Sequence, residues 1–141
     1  MSSMLNHVPV LVAEDQPFIA LDLALAIEDA GGEVVGPAAS VKEALALLAD
    51  RAVCAAILDV NLLDGDCSAV VEVLAGLNIP IILQTGVGLP PGLAARFPNL
   101  VVQIKPCLAA DIIARLGTLI SDHERAVEIT RDPPEDDVPT V

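Results

Sequence analysis

Aromatic side chains are nearly missing from this chain of 141 residues: Phe18 and Phe97 are the only two, and neither Tyr nor Trp occurs. A core without rings has to be built from Val, Leu, Ile and Ala, and an apolar content of 54% supplies them. A chain of this length buries about two-thirds of its surface on folding, so a single domain forms without a disulfide or metal staple. Basic residues are also scarce. Seven Lys and Arg stand against twenty Asp and Glu, a net charge of −13, which repels phosphate backbones and anionic lipid. Direct binding of DNA, RNA or a membrane surface is therefore disfavoured. The three cysteines, Cys54, Cys67 and Cys107, are odd in number and lack the C-x-x-C spacing. They imply neither a disulfide framework nor a zinc site, and they fit buried thiols in a reducing cytoplasm. No basic segment precedes an apolar run at the N-terminus, so no signal peptide is expected. The uncharged stretch 73–95 is long enough to span a bilayer, but Pro80, Gly86, Gly88, Pro90 and Pro91 break it into a strand and a loop.

Two hydrophobic periodicities alternate along the chain. Residues 8–13 form a continuous apolar run of the kind buried on both faces of a parallel sheet, stopped by Glu14 and Asp15. A helix follows from Pro17, with Ile19, Leu23 and Ile27 on one stripe, and ends at Gly31 and Gly32. Residues 33–36 read as a second strand. Ser40 and Glu43 have the spacing of a capping box and open a helix to about Asp50. The third strand, 53–58, ends at Asp59, and Asp64 with Gly65 supplies turn chemistry before a helix over 68–75. A fourth strand, 79–83, leads to Thr85 and Gly86. Glycines and prolines then leave only a short helical turn near 93–97. A fifth strand, 100–104, ends at Lys105 and Pro106, and an amphipathic helix runs from Ala109 to about His123. From Asp122 onward seven acidic residues, two Arg and three Pro have the composition of a solvated, disordered tail. The domain thus covers 7–121 and the tail 122–141. Strands alternating with helices predict a doubly wound α/β sheet with right-handed crossovers.

In such a sheet ligands gather beyond the carboxyl ends of the strands. Glu14, Asp15, Asp59, Thr85 and Lys105 stand at four of those ends. Three carboxylates brought together repel, so without a cation at least one pKa rises. A hard divalent ion such as Mg²⁺ relieves that conflict and keeps coordination sites open for phosphate oxygens. Glycine and hydroxyl residues are lacking on the first loop, which argues against a flavin or nucleotide cradle. His7 and His123 are read as surface residues.

The set at 10–15 (VLVAED), 57–61 (ILDVN), 84–86 (QTG) and 104–106 (IKP) resembles the receiver domain of two-component response regulators, over about 8–121. The resemblance implies a flavodoxin-like five-stranded sheet in the order 2-1-3-4-5, with helices on both faces and, in this chain, a short or irregular fourth helix. It implies that Asp59 accepts a phosphoryl group from a histidine kinase or a histidine phosphotransfer protein, and that Lys105 and Thr85 assist. It further implies Mg²⁺ held by Glu14, Asp15, Asp59 and the backbone carbonyl of Asn61, a switch at Thr85, Gly86 and position 102, and a cis Lys105–Pro106 bond. Val102 stands where many receivers carry an aromatic switch residue, so the signal is expected to leave through the loop after Thr85, with 86–98 mobile. The resemblance also places Val87 and Asn61 beside the expected path of hydrolytic water.

With nothing read beyond the last helix, the expectation is a stand-alone receiver. It would signal by contact with a protein effector or a second copy, or act as a phosphate sink, rather than as a turnover enzyme. An aspartyl-phosphate phosphatase of the haloacid dehalogenase type is disfavoured, because the acidic pair precedes the nucleophile and Asn61 stands where a general acid is needed. A docking module that is never phosphorylated is the other alternative, with Mg²⁺ binding as the discriminating property.

Overall fold

Val10, Leu11, Val12 and Ala13 are apolar in unbroken succession, a pattern that suits a strand covered on both faces. In the structure, a computed structural model describing residues 4–131, they lie in β1 (Pro9–Ala13) and are fully buried. Val10 and Val12 join one core layer and Leu11 and Ala13 the other, as the two-residue period of a strand requires. Pro17 then opens α1 (Pro17–Asp29) at the position where a missing N–H leaves no helical bond unmade. The chain continues through β2 (Glu33–Ala38), α2 (Val41–Asp50), β3 (Ala55–Asp59), β4 (Asn61–Leu62), β5 (Gly65–Asp66) and α3 (Ser68–Gly76). It ends with β6 (Ile81–Thr85), α4 (Leu93–Arg96), β7 (Val101–Ile104) and α5 (Ala109–Arg131).

Five strands form a parallel sheet in the order β2-β1-β3-β6-β7, which is the expected 2-1-3-4-5 order once the small β4-β5 pair is set aside. Leu23 and Ile27 of α1 and Ile112 and Leu116 of α5 cover one face, against Val12, Ile57 and Ile82. Ala44 of α2, Val70 and Leu74 of α3 and Leu93 of α4 cover the other, against Leu11, Leu58 and Leu83. The core holds no aromatic ring: Phe18 is exposed on α1 and Phe97 packs half-buried at the edge.

Several boundaries differ from the sequence expectation for local reasons. β2 does not stop at Gly36 but runs to Ala38 through a cis Gly36–Pro37 bond. Gly36 has φ +105°, and a Cβ there would sit 2.9 Å from the Val12 carbonyl oxygen and the Ala38 nitrogen, opposite the point where the β1-β2 register shifts. The domain begins before residue 7, because Leu5 is buried against the α1-α5 layer and its amide donates to the Ala30 carbonyl at 2.9 Å. At the other end α5 continues past residue 121 and the expected stop near His123 to Arg131. The first part of the acidic tail is therefore helical, and 132–141 lie outside the described residues. Cys67 is buried, which pushes its thiol up to about 12, and Cys107 is half-buried. Cys54 is exposed, contrary to the buried reading, because it sits just before β3 at the rim of the sheet.

The capping box forms, with one change. Glu43 N–H donates to Ser40 Oγ at 3.0 Å, but the Glu43 carboxylate accepts from Ala39 N–H at 2.7 Å rather than from the cap residue itself. A second cap comes from far along the chain. Both carboxylate oxygens of Asp64, in the β4-β5 turn, accept from the first α2 amides, Val41 at 2.6 Å and Lys42 at 3.1 Å. The Val41 hydrogen bond holds the Asp64 carboxyl below the usual aspartate range. A lowered folded pKa means that this stabilisation is present above the ordinary aspartate range and is lost as pH falls through the folded value. Ser40→Ala is expected to cost about 1 kcal/mol in urea denaturation followed by circular dichroism. Asp64→Ala is expected to speed hydrogen exchange at the Val41 and Lys42 amides while leaving α1 and α5 protected.

Candidate functional site

Parallel strands in register end side by side, so the residues that follow them converge on one edge of the sheet. Glu14 follows β1, Asp59 closes β3, Thr85 closes β6 and Lys105 follows β7. Backbone bonds carry the alignment past the strand ends: Glu14 N–H donates to the Ala38 carbonyl, Val60 N–H to that of Gln84 and Lys105 N–H to that of Thr85. The rims of β1 and β2, and of β3, β6 and β7, are thus tied by backbone before any side chain is placed.

Glu14 and Asp59 are buried, at 2% and 6% exposure, and Lys105 reaches across to both. Its Nζ lies 3.0 Å from Asp59 Oδ2 and 3.3 Å from Glu14 Oε1. Asp15 is half-buried beside them, and one carboxylate oxygen each from Glu14, Asp15 and Asp59 falls within 4.8 Å of the others. Backbone amides complete the network. Gln16 N–H donates to Glu14 Oε2 at 3.1 Å and Asn61 N–H to Asp59 Oδ1 at 3.3 Å.

Burial is the main influence on the charges here. Burial, followed by the hydrogen bond to Asp59, pushes the Glu14 carboxyl up to about 7, against the opposing Gln16 amide and Lys105 charge. Burial alone would lower Lys105, but its hydrogen bond to Asp59 and the two nearby carboxylates outweigh that and raise it. At neutral pH Lys105 is a firm cation, Glu14 is near its midpoint, and the shorter contact pairs the ammonium with Asp59.

Thr85 is buried at the same edge, with its hydroxyl engaged in the following loop. Oγ1 donates to the Gly88 carbonyl at 2.7 Å and accepts from Val87 and Gly88 N–H at 3.1 and 2.9 Å. Gly86 and Val87 are exposed, and Val102, half-buried, pairs in register with Leu83. Lys105–Pro106 is cis. His7 and His123 stay away from the carboxylates, although His123 is half-buried and lines a cavity of about 370 Å³ with Arg96 and Phe97, away from the acidic cluster. Gln84 figures in the sequence only as part of the 84–86 motif, with no role of its own. A glutamine inside an otherwise apolar strand was the available signal.

No protein-family model and no curated protein sequence matches this chain. Solved structures do. The response regulator PhyR from Brucella abortus superposes at TM-score 0.74 with 29% identity, over 89% of this chain and 53% of that one. A response regulator receiver protein from Sinorhizobium medicae WSM419 gives TM-score 0.74 and 24% identity over 84% of this chain and 98% of that one. A CheY-like response regulator receiver domain protein from Methanospirillum hungatei JF-1 gives 0.73 and 21% over the same shares. The chain has the response-regulator receiver fold. It spans about half the length of the PhyR proteins it matches and nearly all of the single receivers. The acidic cluster lies at the carboxyl edge of this receiver sheet, and among the described residues no helix is long and apolar enough to cross a membrane.

In metal-free buffer, carbon-detected NMR is expected to give Glu14 a titration midpoint near 7, and Lys105→Met is expected to move it higher by removing the cation that opposes the shift. A raised folded pKa contributes stability that is full below the ordinary glutamate range and is lost as pH rises to about 7. Metal-free stability should therefore fall across that window, and Glu14→Gln should flatten the fall.

Proposed function

We propose that this chain is a receiver that takes a phosphoryl group onto Asp59 from a phosphohistidine of a kinase or phosphotransfer protein and signals by protein contact. The observation that carries the reading is the Lys105 ammonium lodged between the buried carboxylates of Asp59 and Glu14, with Asp15 beside them. A cation held at that point faces the charge that builds on the transferred group.

The donor set fits Mg²⁺: it is all carboxylate oxygen, clustered within 4.8 Å, and it carries a glutamate whose pKa is raised by its surroundings. Asp15, Asp59 and Glu14 would hold the ion, with the Asn61 backbone carbonyl as a further ligand. When bound, Mg²⁺ offsets the repulsion among the carboxylates and the charge on the phosphoryl oxygens. In the transfer, an Asp59 carboxylate oxygen bonds to phosphorus as the phosphorus–nitrogen bond breaks and the imidazole leaves with that electron pair. Lys105 keeps its positive charge throughout and pairs with an equatorial oxygen of the loose transition state.

The acyl phosphate adds about −1.5 to −2 charges at Asp59. Thr85 is then the natural hydroxyl donor to the new group, and turning toward it gives up the bond to the Gly88 carbonyl, so the loop beyond β6 is released. Output through a protein partner is in keeping with the likeness to PhyR, which is described as an anti-anti-sigma factor and a stress response regulator.

Incubation with phosphoramidate and Mg²⁺ is expected to add one phosphoryl group by intact mass, with no adduct in EDTA or in Asp59→Asn. Lys105→Met is expected to slow the reaction at least tenfold. A folded protein that binds no Mg²⁺ and takes no adduct, even from a kinase, would instead be a docking module.

A further inference from the structure

Between α1 and the start of α5, beneath the segment from Lys105 to Cys107, lies a cavity of about 230 Å³. Leu23 and Ile112 give it apolar walls, and Gln84, Lys105 and Cys107 give it a polar side. Gln84 is the unusual member. It lies two residues beyond Ile82, so strand alternation turns it toward the same fully buried α1-α5 layer. It is 2% exposed, its Oε1 accepts a long 3.9 Å contact from Cys107 Sγ, and its amide Nε2 has no hydrogen-bond partner. Buried donors are almost always paired in folded proteins, and an unpaired one in a cavity wall marks the chemistry that the cavity lacks. The missing element is an acceptor.

We propose that this cavity is a binding site for a small, neutral, mostly apolar molecule carrying one carbonyl, the oxygen accepting from Gln84 Nε2 and the apolar body lying against Leu23 and Ile112. The size is adequate, since apolar cavities of about 150 Å³ hold benzene. Neutrality follows from the charges nearby: Asp22 lines the cavity, the whole chain carries −13, and the Lys105 ammonium is engaged by Asp59 and Glu14. The same lysine joins the two sites. It lines the cavity on one side and pairs with the carboxylates on the other, so occupancy is coupled to the acidic cluster through a single side chain. The binding itself does not depend on phosphorylation.

The test is an amide-detected NMR titration of the full chain with acetophenone and, in parallel, ethylbenzene, which differs only in lacking the carbonyl oxygen. Acetophenone is expected to bind saturably, with shifts centred on the Gln84 side-chain amide, Leu23, Cys107 and Ile112, and at least tenfold more tightly than ethylbenzene. Gln84→Met keeps the side-chain length, removes the donor and should abolish that preference. Cys107→Phe should fill the cavity and abolish both interactions. Should the Phe variant fail to fold, the Gln84→Met comparison decides alone. No saturable acetophenone binding, shifts centred elsewhere, or equal affinity for the two probes in the unaltered chain would overturn the assignment.

Discussion

The Lys105 ammonium between Glu14 and Asp59 is the contact on which the site depends. Two carboxylates that are almost wholly shielded from water are unstable without a cation, since the desolvation penalty is several kcal/mol per ion and their mutual repulsion adds to it. Lysine meets the need because its long stem crosses from the end of β7 to the ends of β1 and β3, with β6 between β3 and β7 in the sheet. The pairing is incomplete. One ammonium faces three carboxylates, and burial, followed by the hydrogen bond to Asp59, pushes the Glu14 carboxyl up to about 7. A site left short of positive charge in this way suits a cation, and under the proposed function it would also feel an anionic group added to Asp59.

That edge is only as well defined as the sheet behind it. β1 and β3 are in register along four residue pairs and buried on both faces, so Glu14 and Asp59 leave the core side by side with little freedom in height. A one-residue slip would turn every core side chain to the wrong layer, and the separation of Val10 and Val12 from Leu11 and Ala13 into different clusters shows how firmly the register is set. The aliphatic core contributes in the same direction. Without rings the two layers are filled by short branched side chains, and the two Phe residues lie at or beyond their margins.

Most of this was readable because it rests on local chemistry. Unbroken apolar runs ending in charged residues marked the strands and, with them, four of the five site positions. Pro17 and the Ser40–Glu43 spacing marked helix starts. What escaped the reading rests on contacts between distant residues. Asp64 looked like turn chemistry, and only the folded chain brings its carboxylate to the α2 N-terminus, across 23 positions of sequence. Leu5 precedes any periodic segment, yet tertiary packing buries it. The extension of α5 to Arg131 defeats composition, since charged residues that suggest a solvated tail also suit an exposed helix. Gln84 shows the limit from the other side: the residue was visible, but whether its amide finds a partner is a property of the space around it.

Position 102 is a valine, and two paths lead away from the acidic edge, only one of them hydrogen-bonded to Asp59 itself. One passes through Thr85, whose hydroxyl gathers the Gly88 carbonyl and two amides of a loop that is largely exposed and leads into a single turn of α4. The other passes through Asn61, whose amide donates to Asp59 Oδ1 and which begins the β4-β5 pair. Leu63 in that turn donates to the Ala39 carbonyl, and Asp64 caps α2 with both oxygens. The Thr85 route ends in a largely exposed loop, beyond which Leu93 of α4 is anchored in the core. The Asn61 route ends on the N-terminus of a packed helix, where a carboxylate is held by two amides and by the helix dipole. Given phosphorylation of Asp59, the first route is suited to freeing a surface loop and the second to transmitting position to α2. A path of backbone amides and one distant aspartate thus runs from Asp59 to the N-terminus of α2.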